Sequence, residues 1–210
     1  MRKKTLLLLF ILATLSAFAQ KKAVTENGEE VILYDDGTWK PATDSTVKQE
    51  EIPTNPVSYK KPASASFQLK STKVDVSIWL DPKKWTFQKS ASNEAAEYEI
   101  KCKTKDVYAI LISEKIEIPI ETLKMMALKN ARNAAPDVKI VKEEYRTVNN
   151  KKLLMLRMDG TTQGVKFSYY GYYFSNSSGT LQFLSYTSQN LFDTYKTDME
   201  EILNGLTVSG

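Results

Sequence analysis

The sequence predicts an α+β fold, a mostly antiparallel sheet shielded by two helices and preceded by a small β-meander. Three observations predict it. Several runs alternate apolar and polar residues, the period of a half-buried strand. Two segments carry apolar residues at helical spacing instead. The turns between the later strands are too short for a crossover, so those strands pair antiparallel.

The elements follow in order. Arg2, Lys3 and Lys4 precede an apolar run from Leu6 to Leu15, and Ala17-Phe18-Ala19 supplies small residues where a signal peptidase reads. Residues 1–19 therefore form a secretory signal peptide, and the run is too short for a membrane span. Gln20, not a cysteine, comes next, so no lipid anchor is expected. The chain is expected to be periplasmic or secreted, with no transmembrane segment after the signal is removed. Residues 20–41 form the meander, punctuated by the turn signals Asn27-Gly28 and Asp36-Gly37, the second of which reads as a type I′ turn. It cannot bury a core of its own, so Ile32 and Trp39 must pack elsewhere or stay exposed. Residues 42–64 read as a flexible linker, broken by prolines up to Pro62.

The main domain spans 65–210. Val74, Val76, Ile78 and Leu80 alternate with polar or exposed positions, as do Tyr98, Ile100 and Cys102; Val107 to Ser113 is a third strand. Pro119 opens a helix in which Ile120, Leu123, Ala127, Ala131 and Ala134 share a stripe, closed before Pro136. Strands follow at Val138–Val148, Lys151–Asp159, Val165–Phe174 and Thr180–Thr187, turned at Asn149-Asn150, Gly160–Gly164 and Asn176–Gly179. Asn190 is placed to cap a last helix, with Asp193 in its first turn and Gly205 at its end. Leu153-Leu154-Met155-Leu156 is apolar at both parities, which predicts a sheet covered on both faces.

Composition narrows the function. Three of the 29 basic residues lie in the leader, leaving 26 against 25 acidic, a net charge of +1 on the 191-residue remainder. That balance argues against nucleic-acid binding, which needs a surplus of cations. Histidine is absent, which removes Ser-His-Asp and Cys-His nucleophiles and most zinc or copper sites. Cys102 is the single cysteine, so no intrachain disulfide forms, and its place in a strand alternation marks it as a core residue.

Val74 to Trp85 with its Asp-Pro, the mid-chain helix, the hairpins from Lys151 to Ser185 and the closing helix at Asp198–Leu206 together resemble PsbP-like domains over about residues 67–208. The resemblance implies an α/β/α sandwich with a central mostly antiparallel sheet. It also implies a binding or assembly role, since the pattern brings no catalytic residues. The segment from Ala23 to Trp39 resembles a short amino-terminal module of exported Gram-negative proteins.

Four residues stand out as ligand-binding candidates. Alternation along Tyr169–Phe174 puts Tyr170, Tyr172 and Phe174 on one face and Tyr169 and Tyr173 on the other. Such rings, with Trp39, offer stacking surfaces for a small ligand or protein; the competing reading is that they fill a covered sheet. Asp35-Asp36-Gly37 lacks the further oxygens of a calcium loop. Glu143, Glu144 and Asp159 are the acids that hydrolysis by paired carboxylates would require, with no sign in the sequence that any two converge. No catalytic residue, metal or cofactor is expected. The function expected is a non-enzymatic exported module binding an envelope protein or small ligand, with a small carboxylate hydrolase and a structural envelope component as alternatives.

Overall fold

The computed structural model describes residues 21–25, 30–41, 51–91 and 93–209. The expected signal peptide, the turn expected at Asn27-Gly28 and residues 42–50 of the expected linker lie outside those residues. The chain divides into two compact units, one holding the amino-terminal strands and a larger one holding Val47–Gly210.

In the first unit β1 (Lys21–Val24), β2 (Glu30–Leu33) and β3 (Trp39–Pro41) form an antiparallel meander. The turn between β2 and β3 differs from the type I′ expected. Only Gly37 has positive φ, 82°, whereas type I′ needs two such residues. Gly37 N–H donates to the Tyr34 carbonyl and the Asp36 carboxylate accepts from the Thr38 N–H, 2.9 Å away. This is a type I turn followed by a left-handed glycine.

The second unit opens with a correction. Residues 54–59, expected within a linker, form β4 (Thr54–Tyr59), which pairs in parallel with β10 (Lys139–Val148). Pro56 hid it, but an edge strand needs hydrogen bonds on one side only. Tyr145 N–H donates to the Pro53 carbonyl and Asn149 N–H to that of Tyr59, so the strand is fastened at both ends. An eight-stranded sheet results, in the order β4, β10, β11 (Lys151–Thr162), β12 (Val165–Asn176), β13 (Gly179–Ser188), β9 (Tyr108–Glu114), β8 (Ala96–Cys102) and β7 (Trp85–Lys89). All neighbours except β4–β10 are antiparallel. Two hairpins are true two-residue turns. Asn149 and Asn150 have φ of 47° and 67°, and Gln163 and Gly164 have 49° and 80°, the left-handed pair that matches strand twist.

One face of the sheet is covered by α1 (Ile120–Ala134), which buries Leu123, Ala127 and Ala131 against Leu154, Leu156, Met158 and Tyr173. Pro119 precedes the first helical residue rather than occupying it, and Ala135 is extended, as a residue before proline prefers. The other face carries α2 (Phe192–Asn204) beside a three-stranded sheet of β5 (Phe67–Lys70), β6 (Val76–Leu80) and β14 (Leu206–Val208). Met199, Ile202 and Leu203 of α2 and Ile78 and Leu80 of β6 pack in one core with Leu111, Met155, Tyr172 and Phe183. The sandwich is therefore helix, sheet, then helix with a small sheet. Asn190 does not cap α2; it lies in a 3₁₀ turn before the helix, whose start has no side-chain cap. Gly205 is not left-handed either, with no positive φ. Its value lies in size: a Cβ there would stand 2.0 Å from the Trp79 carbonyl oxygen, on β6.

Candidate functional site

The aromatic run on β12 divides between the two faces as strand alternation requires. Tyr170 and Tyr172 are corrected from exposed candidates to core residues: both are buried against α2. Their hydroxyls donate to Glu200 and Asn204 of the helix, each at 2.7 Å. Burial pushes the Tyr172 hydroxyl up to about 12 and that of Tyr170 further. Phe174 is half-buried against the same core. Neither buried tyrosine offers a stacking surface while α2 is docked. Trp39, on the meander, is 56% exposed.

The opposite face is where aromatic surface remains open. A row of directly paired residues crosses seven strands: Thr86, Lys101, Tyr108, Tyr186, Tyr169, Met158 and Ile140. At the Met158 end α1 covers the row. At the other end Tyr169, Tyr186 and Tyr108 are only half-buried and Lys101 and Thr86 are exposed. Tyr108 and Tyr186 stack at 5.4 Å, Tyr186 meets Tyr169 edge-on at 5.9 Å, and Lys101 lies over the Tyr108 ring at 5.5 Å. The next row along the strands begins Gln88, Glu99 and Ile110. Here Thr86, Gln88, Glu99, Lys101, Tyr108 and Tyr186 line a groove of about 380 Å³. Glu99 accepts from Gln88 at 3.1 Å and from Ser90 at 2.7 Å. Partial burial raises the Tyr169 and Tyr186 hydroxyls above their ordinary range, so both remain neutral donors at physiological pH. Sequence reasoning selected the wrong face of β12, because only cross-strand register reveals which tyrosines meet.

The acids considered for hydrolysis are all tied to cations. Glu144 meets Arg146 at 2.6 Å, Asp159 meets Arg157 at 3.0 Å, and Glu143 meets Lys124 at 2.9 Å. Burial would raise the Glu144 carboxyl, but hydrogen bonds from Arg146 and Asn55 outweigh it and hold it low. Arg146 is itself buried, reaches Glu200 at 3.1 Å and lies over the rings of Tyr59 and Tyr170. This cluster joins β4, β10, β12 and α2 into one polar layer. Asp198 of α2 similarly holds Lys84 at 2.7 Å and Lys105 at 2.6 Å. Cys102 is buried. Among the described residues no three His, Cys, Asp or Glu side chains converge on a metal position, and no helix is long and apolar enough to cross a membrane.

No protein-family model matches the chain, and no curated protein matches it in sequence. Solved structures do. CyanoP, the cyanobacterial PsbP of Synechocystis sp. PCC 6803, matches with a TM-score of 0.52 at 13% identity, over 70% of this chain and 95% of that one. LpqN of Mycobacterium tuberculosis, described as involved in cell envelope biogenesis, matches with a TM-score of 0.47 at 15% identity, over 69% and 90%. PA94 of Pseudomonas aeruginosa, a protein of unknown function, gives 0.44 at 9% identity, over 69% and 97%. At such identities the likeness to CyanoP concerns architecture, and it agrees with the layers described above: the larger unit of this chain has the PsbP-like fold.

Proposed function

We propose that this chain is a non-enzymatic, exported binding module whose recognition surface is the half of the large sheet that α1 leaves open. The observation that supports it is the row of half-buried rings, Tyr169, Tyr186 and Tyr108, ending in the groove beside Thr86, Gln88, Glu99 and Lys101. Tyrosine supplies contact area at low entropic cost, and its free hydroxyl adds direction. The pairing of each considered acid with a cation favours recognition over carboxylate hydrolysis, because a general acid needs a raised pKa. Glu144 has the opposite. Trp39 on the separate meander is proposed as a second contact.

The test is capture from envelope extract by the whole chain, compared with a Tyr108→Ser, Tyr186→Ser double variant and with Trp39→Ser. Loss of the captured partner by at least about ten-fold in the double variant, roughly 1.4 kcal/mol, is the expected result. Unchanged capture by the double variant overturns the assignment of this face.

A further inference from the structure

The groove ends at β7, the last strand of the large sheet, and among the described residues no strand pairs with its outer edge. Lys103 N–H donates to the Lys84 carbonyl and Ser90 N–H to that of Glu97. Even-numbered residues along β7 thus turn their backbone groups toward β8. By the alternation of an antiparallel ladder, Phe87 and Lys89 turn theirs outward. Their side chains lie on the face opposite the tyrosine row. Phe87 is 41% exposed and touches Phe67 of β5, equally exposed, at 5.2 Å between ring centres. One exposed lysine borders this apolar patch: Lys89 shares the Phe87 face of β7 and is paired with Tyr98, whose ring meets Phe87 edge-on at 6.4 Å. Thr86 and Gln88 present neutral polar groups to the groove on the other face.

We propose that β7 takes up an extended peptide segment as a ninth strand, in which an apolar residue faces Phe87 and an acidic residue two positions away faces Lys89. This rests on the reading of the neighbouring groove as a recognition surface and names its occupant. Main-chain hydrogen bonds to Phe87 and Lys89 give the affinity, and alternate side chains give the selectivity. The polar residue between the apolar and acidic ones enters the groove beside Thr86 and Gln88. Lysine on an open edge repels a second copy of the same edge while attracting an acidic strand, which is why the occupant is acidic and not another β7.

The probe is a fluorescent, end-capped peptide Thr-Ile-Thr-Glu-Thr, titrated by anisotropy against the whole chain. Binding is expected with a dissociation constant of about 100 μM. Lys89→Glu is expected to weaken it at least ten-fold, and the peptide with Lys for Glu is expected to recover affinity for that variant. N-methylation of the central peptide amides removes main-chain donors and is expected to abolish binding to the unaltered protein. Equal binding of the N-methylated peptide, indifference to the Lys89 reversal, or no binding at millimolar protein overturns the proposal. Self-association of the chain that Phe87→Ser abolishes overturns it as well, by naming a different occupant. If the peptide fails while capture from envelope extract still depends on Tyr108 and Tyr186, the recognition face stands and only the peptide assignment falls.

Discussion

At the scale of residues, the three buried tyrosines of β12 are not equivalent. Tyr170 and Tyr172 each have a hydrogen-bond acceptor on α2, whereas the buried Tyr173 hydroxyl has no partner among the described residues. Losing the Tyr172 hydroxyl takes the donor from Asn204 Oδ1, and losing that of Tyr170 leaves Glu200 with Arg146 alone of its two donors, while a deleted orphan strands nothing. Tyr170→Phe and Tyr172→Phe are therefore expected to cost about 1–2 kcal/mol each, and Tyr173→Phe to be neutral or stabilising by up to about 1 kcal/mol. Urea unfolding of the three variants checks the order. The parity of these rings was legible in the sequence. How far each face would be covered was not, because that depends on where two helices distant in the chain come to rest.

Among the elements, α2 is held by neighbours at several points along its length. Gly205 closes it against β6, with its carbonyl accepting from the Trp79 N–H at 2.8 Å. Gly205→Ala puts a methyl into the Trp79 carbonyl and is expected to destabilise by about 3 kcal/mol through displaced backbone, read as a lower urea midpoint. Asp198 pins the loops before β7 and β9 to the same helix through Lys84 and Lys105. Burial works to raise its carboxyl, but the hydrogen bonds from the two lysines outweigh it and keep it below the ordinary range. A carboxyl that binds its proton less tightly when folded adds stability that is complete above about pH 4 and is lost as pH falls through the lowered native value. Asp198→Asn is expected to cost about 2 kcal/mol at pH 7, less than a fully buried pair because the lysines are 24% and 39% exposed. The gap from the unaltered protein should narrow as pH falls below about 4, as denaturation at pH 7 and at successively lower pH will report.

β6, the longer strands β8 to β13 and both helices could be read from period alone. Three short strands could not. β4 has four of six residues exposed and a proline, β7 is exposed beyond Trp85, and β14 is three residues long. Their placement comes from partners in space, not from their own pattern. The candidate site suffered for the same reason, since its groove is made by β7 and β8 side by side.

For the molecule as a whole, β4 decides where the larger unit begins. Asn55 donates to Glu144 at 3.1 Å, and Tyr59 lies against Arg146 at 4.7 Å. A chain starting at residue 61 loses both and opens the buried Glu144–Arg146 pair to water. It is expected to be about 2 kcal/mol less stable than one starting at residue 51, measured by urea midpoint. Equal stability would show β4 to be an ornament on the sheet.

Cys102 lies in the core between the two sheets, and no second cysteine exists. The exterior is thus chemically silent toward maleimides and methanethiosulfonates. A cysteine placed at Lys101 or Gln88 becomes the one reactive handle, and a spin label or fluorophore there reports occupancy of the groove without background.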